Sequence, residues 1–216
     1  MRKSNRYDTS ALPEARFEPN SRKRVLKNLL GIKSKREMDR IEALAQLPVM
    51  EKLSGIYGKE RRFTAADIRS IHKIWLGRIY EWAGQYRSVN VSKEDFPFAA
   101  ANQIPRLMDE LERDALKKYT PCRFSAVEDV ARAIAVVHTE IVLIHPFREG
   151  NGRVARILSA LMALQAGLPS LDFSRIKAKK RQEYFAAVRA GMDKNYKPME
   201  KIFSAVISRT LRTQKG

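Results

Sequence analysis

The chain has 216 residues, of which 44% are hydrophobic, and this length suits one main domain with a sizeable core. No apolar run approaches the roughly 18 residues of a membrane span and no signal-peptide core follows the first residues, so we expect a soluble, cytoplasmic chain unless another route exports it. The single cysteine, Cys122, excludes an internal disulfide and a cysteine-based metal cluster.

Residues 1–33 are rich in charged side chains and contain Pro13 and Pro19. This composition predicts a basic, extended N-terminal arm with one brief helical turn. The remainder, residues 34–216, is predicted to form the folded domain, with its core between residues 64 and 191.

Two capping boxes mark the first helices. Ser34 with Glu37, and Thr64 with Asp67, each place a hydroxyl three residues before a carboxylate, a pattern typical of a helix N-terminus. Apolar residues recur at helical spacing after both boxes. Pro48 is expected to disturb the first helix, because it lacks an amide proton.

A different pattern occupies residues 80–98, where aromatic residues precede the alternating Val89 and Val91. This alternation predicts a short strand, and the acidic pair Glu94-Asp95 predicts the tip of a β-hairpin followed by its return.

The second half of the chain is again helical. Ser125 with Glu128 predicts the start of a long, nearly buried helix that ends just before residue 145, and a second apolar helix follows and stops at Gly167. His138 lies on the buried side of the first of these helices and is expected to be a core histidine. His72 is expected to be a surface or packing histidine rather than a ligand.

The last elements are also predicted to be helices. Asp172 or Ser174 can cap one that runs to Gly191, and Pro198 can begin a final one that ends near residue 213. The whole pattern predicts an all-α fold of about six to eight helices with one short β-hairpin.

One stretch, His145 to Arg156, concentrates groups that suit polyphosphate chemistry. His145 has an ordinary pKa near physiological pH, so it can take a proton from an attacking hydroxyl as a general base. Glu149 offers hard carboxylate oxygen, which Mg²⁺ accepts while it also bridges substrate phosphates.

The second half of this stretch predicts an anion site. Gly150, Asn151 and Gly152 let main-chain amides converge at the N-terminus of a helix, which carries partial positive charge. Arg153 and Arg156 are three residues apart and so lie on one helix face, where their guanidinium groups can hold phosphate oxygens.

This stretch matches the signature His-x-Phe-x-Asp/Glu-Gly-Asn-Gly-Arg-x-x-Arg at every fixed position, so the chain resembles the Fic family. The segment from residue 7 to residue 32 resembles, more loosely, the N-terminal lead-in of Fic toxins and secreted Fic effectors. The resemblance implies that His145 is the catalytic base, Glu149 the metal ligand, the two arginines phosphate clamps and Phe147 a buried anchor.

The resemblance also implies that the hairpin is the Fic flap, which lies beside the active site. In the family this element holds a target segment by main-chain strand pairing and presents its hydroxyl. The residues that would dock the target are Val89, Asn90, Val91, Ser92 and Lys93.

Most Fic enzymes are nucleotidyltransferases that move AMP from ATP to a Tyr, Thr or Ser hydroxyl of a protein, with Mg²⁺, and release pyrophosphate. The resemblance therefore implies protein AMPylation. Some members transfer UMP, phosphate or phosphocholine instead, and these donors stay open.

The alternative to an enzyme is a non-catalytic binding module with a basic surface. The formal net charge is +18, and it is concentrated at the two ends: +8 for residues 1–36, +1 for residues 37–174 and +9 for residues 175–216. Basic ends favour an anionic partner, although the nearly neutral middle carries the signature and direct nucleic-acid binding is not expected.

Many Fic proteins carry a self-inhibitory helix with the pattern Ser/Thr-x-x-x-Glu-Gly/Asn. The segment Ser10–Ala15 comes nearest but fails at its last position and contains Pro13. We therefore expect no inhibition within the chain.

The resemblance leaves two biological settings open. One is a toxin in the bacterial cytoplasm that is restrained by a small antitoxin-like protein and modifies a type II topoisomerase. The other is an effector that a secretion system translocates into a host cell, where it modifies a small GTPase.

Overall fold

The computed structural model describes residues 12–173 and 180–213, the side chain of residue 180 excepted. The helices in this part of the chain are α1 (Lys35–Ile56), α2 (Ala65–Leu76), α3 (Ile104–Leu111), α4 (Lys117–Tyr119), α5 (Val127–Ile144), α6 (Asn151–Gln165), α7 (Lys180–Ala190) and α8 (Lys197–Thr213). A π-helical turn, Glu112–Leu116, joins α3 to α4. Two short strands, β1 (Ser92–Lys93) and β2 (Phe96–Pro97), pair antiparallel. The predicted all-α fold with one hairpin is confirmed.

Helices α5 and α6 form the centre of the fold, and α5 also packs along α8. Ile134 and Ile141 of α5 are fully buried, as are Leu158 and Met162 of α6. A helix that is apolar on nearly all sides is stable only when neighbours cover it, which these contacts provide. The turn between α5 and α6 is therefore anchored at both ends. No helix within residues 12–173 and 180–213 is long and apolar enough to cross a membrane.

Helix α1 continues through Pro48, so the expectation that this residue disturbs the helix is wrong. An interior proline removes one main-chain hydrogen bond and costs about 3 kcal/mol in an isolated helix. Here Met38, Val49 and Leu53 bury one face of α1 on both sides of the proline. Tertiary packing therefore stabilises the helix against the local defect.

The predicted capping boxes have different outcomes. Thr64 and Asp67 form the reciprocal box, in which each side chain accepts a hydrogen bond from the other's main-chain amide. Ser34 accepts a hydrogen bond from the amide of Glu37, at 3.4 Å. Both helices begin where the sequence predicts.

The predicted box of Ser125 and Glu128 is wrong. Helix α5 begins at Val127, and Ala126 is its N-cap, without a side-chain capping bond. Burial of α5 makes a side-chain cap unnecessary for the helix to form. The alternative cap of α7 at Ser174 lies outside the described residues.

Residues 12–33, which were expected to be extended, fold back and pack on the helices. Phe17 and Leu26 form an antiparallel bridge. The buried carboxylate of Glu18 accepts a hydrogen bond from the main-chain amide of Asn28, at 3.0 Å. The described part of this segment is therefore a compact loop, and the domain boundary at residue 33 stays a prediction.

Two leucines of α1 test this packing. Leu53 is fully buried, whereas Leu47 is 73% exposed. Leu53→Ala is expected to lower the free energy of unfolding by about 2–5 kcal/mol, because it leaves a cavity. Leu47→Ala is the matched control and should change it by less than about 0.5 kcal/mol. Urea unfolding measures both, and equal effects would contradict the packing described for α1.

Candidate active site

Two left-handed residues shape the turn between α5 and α6. His145 ends α5 with φ +53°, and Gly150 precedes α6 with φ +87°. A Cβ at Gly150 would lie 2.8 Å from the ring of Trp75, so only glycine fits there. A Cβ at Gly152 would meet nothing within 4 Å, so packing does not explain the second glycine.

The side chain of Asn151 closes the turn. Its oxygen accepts a hydrogen bond from the amide of Phe147, and its nitrogen donates to the carbonyl of the same residue, both at 2.8 Å. Phe147 is fully buried and stacks on the ring of His72, with the centroids 3.9 Å apart. The side chain of Asn151 is thus engaged in the turn, and its main-chain amide stands at the start of α6.

His72 supports this turn from α2. Its Nδ1 accepts a hydrogen bond from the amide of Gly84, at 2.8 Å. Its Nε2 therefore carries the proton and donates to the carbonyl of Glu149, at 3.1 Å. Burial lowers the pKa of His72 to about 4, so the ring stays neutral. Of the two expected roles, at the surface or in packing, the structure shows packing.

His138 is a core histidine, as predicted. It is 1% exposed, and its ring nitrogens lie 3.1 Å from the hydroxyl of Ser159 and 2.7 Å from that of Tyr184. Burial lowers its pKa to about 3. It holds α5, α6 and α7 together and has no part in the cavity described below.

His145 is held with one nitrogen free to act. Its Nδ1 lies 3.1 Å from the carbonyl of Val142 and must donate to it, which leaves the lone pair on Nε2. The ring stacks on Phe98, with centroids 3.6 Å apart. Burial lowers the pKa of His145 to about 4, so the imidazole is neutral at physiological pH and can accept a proton.

A cavity of 540 Å³ opens in front of His145. The predicted site residues that line it are Val91, Ser92, Lys93, His145, Glu149, Gly150, Asn151, Gly152, Arg153 and Arg156. Tyr184, Phe185 and Val188 of α7 line the opposite wall. The fold therefore brings the signature, the hairpin and α7 around one space.

Three predicted residues lie outside this lining. Phe147 is in the core beneath the turn. The carbonyl of Val89 accepts a hydrogen bond from Arg87, and the side chain of Asn90 accepts one from the amide of Ala101. These two residues hold the base of the hairpin, and β1 begins only at Ser92, later than the predicted strand.

The two arginines of the signature have different environments. Arg153 forms an ion pair with Glu42, at 2.7 Å, and approaches Glu149 at 3.4 Å. Its guanidinium also lies 4.6 Å from the ring centroid of Trp75. Within the described ranges no carboxylate forms an ion pair with Arg156, and burial lowers its pKa. Arg156 is the cation of this pair that is available to an anion.

Glu42 holds Arg153 from α1. This carboxylate is 1% exposed and also accepts a hydrogen bond from the hydroxyl of Tyr80, at 2.7 Å. The ion pair with Arg153 is close but lacks the alignment of a hydrogen bond. Trp75 donates its indole N–H to the carbonyl of Glu42, at 3.0 Å. Burial and the neighbouring Glu42 raise the pKa of Tyr80, which keeps its hydroxyl protonated as a donor.

The hairpin contacts α7 through cations and aromatic rings. The ammonium of Lys93 lies 3.9 Å from the ring centroid of Phe185, and Arg189 lies 5.7 Å from that of Phe96. Such contacts are worth about 0.5–1 kcal/mol where they are exposed. They close the cavity on the side opposite the signature.

Sequence reasoning assigned no role to several residues that build this site. Glu42, Tyr80 and Arg87 reach it from segments distant along the chain, so no local spacing identifies them. The one available signal is Glu42, a carboxylate that stands among apolar residues at helical spacing in α1.

The geometry agrees with comparisons to known proteins. Residues 62–163 match the family model of the Fic/DOC family, so this stretch is a Fic domain. The chain is 33% identical over 189 residues to the protein adenylyltransferase VbhT of Bartonella schoenbuchensis. The match covers 87% of this chain but only 37% of VbhT.

Two solved structures share the fold over most of their length. The VirB-translocated effector BepC of Bartonella tribocorum, with bound AMPPNP, has a TM-score of 0.68 and 25% identity, over 84% of this chain and 91% of that chain. The N-terminal Fic domain of a VirB-translocated Bep effector from Bartonella quintana, with bound ADP, has a TM-score of 0.69 and 29% identity, over 88% and 92%.

Removing the hydroxyl of Tyr80 tests whether its hydrogen bond stabilises Glu42, the carboxylate that holds Arg153. Tyr80→Phe removes one hydrogen bond to the buried carboxylate of Glu42 and is expected to lower the free energy of unfolding by about 1.5–3 kcal/mol. Tyr119→Phe is the matched control, because no described residue forms a hydrogen bond with the Tyr119 hydroxyl. Urea unfolding that gives equal values for both variants would contradict the role of Tyr80.

The three histidines predict how stability depends on pH. Their folded pKa values, about 4, 3 and 4, lie below the ordinary value of 6.5. Below pH 6.5 the unfolded chain binds protons on the three histidines and the folded chain does not, which favours unfolding. The contribution of the three histidines to the free energy of unfolding is therefore complete above pH 6.5 and falls as the pH falls towards 4. Between about pH 7.5 and pH 5.5 the three groups should lower the free energy of unfolding by about 4 kcal/mol. Urea unfolding at both pH values measures it, and equal stability would contradict neutral, buried histidines.

Proposed function

We propose that this domain is a protein adenylyltransferase that moves AMP from ATP to a Tyr, Thr or Ser hydroxyl of a target protein. The observation that carries the proposal is that Nε2 of a neutral His145 and the guanidinium of Arg156, both without a partner among the described residues, line one cavity. The cavity has room for a nucleotide, and the two groups suit proton removal and phosphate binding respectively. The name of VbhT supports the same activity.

In the proposed reaction the target oxygen attacks the α-phosphorus of ATP, and its proton passes to Nε2 of His145. A new bond forms between the target oxygen and the α-phosphorus. The bond between the α-phosphorus and the bridging oxygen to the β-phosphate breaks, and pyrophosphate leaves. General-base catalysis of this kind typically contributes about 10²–10⁴ in rate.

We assign the phosphates of ATP to the N-terminus of α6. The main-chain amides of Asn151 and Gly152 stand at this helix end, where the partial positive charge favours anions, whereas the amide of Gly150 donates to Oε1 of Glu149, at 2.9 Å. Arg153 is already oriented by its ion pair, and Arg156 has no ion-pair partner in the part of the chain that the structure describes. Both would stabilise charge that develops on the phosphate oxygens.

A magnesium ion fits the chemistry of the donor set. Among the described residues no group of three or more His, Cys, Asp or Glu side chains could hold a metal by itself. Glu149 lines the cavity as a half-exposed carboxylate, and Mg²⁺ is commonly held by one or two carboxylates together with substrate phosphates. Glu149 would hold the ion, which neutralises phosphate charge when bound.

The hairpin is assigned to the target. β1 is a short strand at the mouth of the cavity, so a segment of the target can add to it by main-chain hydrogen bonds. Ser92 and Lys93 belong to this strand, and Val91 precedes it, whereas Val89 and Asn90 support its base. Strand addition reads the backbone more than side chains and leaves the choice of target to the surrounding surface.

The donor is proposed to be an adenine nucleotide, since the two solved relatives hold AMPPNP and ADP. UMP, phosphate and phosphocholine transfer are the alternatives within the family. A non-catalytic basic module is disfavoured by the complete set of groups around the cavity.

The setting of the activity is a separate proposal. The names of the two solved relatives as VirB-translocated effectors support translocation into a host cell.

Glu14, in the segment nearest to a self-inhibitory pattern, accepts a hydrogen bond from the amide of Ser88 and so faces the hairpin base. A restraining glutamate would then come from a separate, antitoxin-like protein.

His145→Ala is expected to abolish transfer of label from ATP to proteins, because no base remains, while the affinity for AMPPNP changes little. The assay incubates the protein with Mg²⁺, ATP and bacterial or eukaryotic lysate, with the label on the α-phosphate in one sample and on the γ-phosphate in another. AMP transfer marks proteins only from the α-label, whereas phosphate transfer marks them from the γ-label. Leu47→Ala, on the exposed face of α1, is the control and should retain full transfer. Full transfer by His145→Ala would remove His145 from the mechanism.

A further inference from the structure

Arg87 is a charged side chain in an unusual place. It is 2% exposed, and it forms no ion pair within the described ranges. Burial lowers its pKa, which reflects the cost of removing a cation from water. Glu14 attracts this cation without forming an ion pair, so hydrogen bonds must compensate its burial, and those of Arg87 are directed to two sites.

The first site is the base of the hairpin. One terminal nitrogen of Arg87 donates to the carbonyl of Val89, at 2.7 Å, and the other donates to the carbonyl of Ala99, at 2.6 Å. Val89 precedes β1 and Ala99 follows β2. The guanidinium therefore joins the two limbs of the hairpin where they leave the body of the domain.

The second site is the end of α5. The Nε of Arg87 donates to the carbonyl of His145, at 2.7 Å, and a terminal nitrogen lies 3.4 Å from the carbonyl of Ile144. The main-chain amide of Arg87 also donates to the carbonyl of Pro146, at 2.9 Å. Carbonyls at a helix C-terminus lack partners within the helix and carry partial negative charge, so a cation is favoured there.

These bonds fix a strained residue. His145 has left-handed backbone angles, which cost a residue with a side chain free energy that its surroundings must offset. Phe98, on the return limb of the hairpin, stacks on the His145 ring. The hairpin and the imidazole are thus joined twice, once through the backbone by Arg87 and once through the rings.

We propose that Arg87 is a positioning residue that sets the distance between the hairpin and Nε2 of His145. This inference rests on the proposed function, in which the hairpin presents the target hydroxyl. Arg87 does not line the cavity, so it would not contact a nucleotide bound there. Its effect reaches the reaction through the hairpin and the catalytic turn.

Arg87→Lys keeps the charge but loses the planar fork that reaches carbonyls in three directions. A displacement of about 1 Å between reacting groups can lower a rate about 100-fold, so the maximal rate of label transfer to lysate proteins should fall about 10- to 100-fold. The dissociation constant for AMPPNP should stay within about twofold of the unaltered protein's value, because the protein groups assigned to bind phosphate are unchanged. Arg69→Lys is the matched control, because Arg69 also donates to a backbone carbonyl, that of Gly84, but contacts neither limb of the hairpin.

The second readout does not depend on transfer. In NMR spectra the imidazole signals of His145 should shift in Arg87→Lys, and the pKa of this ring should rise towards its ordinary value as the ring gains solvent. Arg69→Lys should leave both unchanged. If no labelled protein is found with the unaltered chain, the proposed function fails while the NMR result still decides the role of Arg87.

Two outcomes would overturn the inference. One is wild-type transfer together with unchanged His145 signals in Arg87→Lys. The other is a loss of AMPPNP affinity that parallels the loss of transfer, which would mean a general structural role. If the variant does not fold, solvent exchange of the Arg87 Nε–H in the unaltered protein decides: slow exchange supports the bond to His145, and rapid exchange refutes it.

Discussion

The left-handed turn at His145 is the constraint on which the site depends. A residue with a Cβ adopts this conformation only where neighbouring bonds oppose relaxation. Here α5 and α6 are buried on either side, Asn151 clamps the backbone of Phe147, and Arg87 binds the carbonyl of His145 itself. The core of the domain therefore determines where the imidazole points, and the cavity takes its shape from that direction.

The sequence predicts the part of the site that is contiguous. Residues 145–156 form one turn and the start of one helix, so their spacing determines which side chains share a face. Most of them line the cavity. The partners from other segments could not be predicted, because Glu42 and Arg87 reach the signature only through the packing of α1 and the hairpin base. Local periodicity carries no information about such contacts.

Errors in the predicted elements have a common cause. The predictions of a disturbed helix at Pro48, of a cap at Ser125 and of an extended arm each rest on local chemistry. In the structure burial decides all three: α1 persists through its proline, α5 begins without a side-chain cap, and Glu18 is enclosed by the loop around Asn28. Helix positions were easier to predict, because a repeated apolar face records burial directly in the sequence.

The ion pair between Glu42 and Arg153 makes the first helix and the cavity thermodynamically dependent on each other. An anion that competes for Arg153 leaves a carboxylate that is 1% exposed without its cation. Linkage requires reciprocity: if anion binding weakens the attachment of α1, then firm attachment of α1 weakens anion binding by the same factor. A substitution that loosens the attachment of α1 would therefore alter the affinity of a site that it does not touch, whereas one on the exposed face of α1 would not.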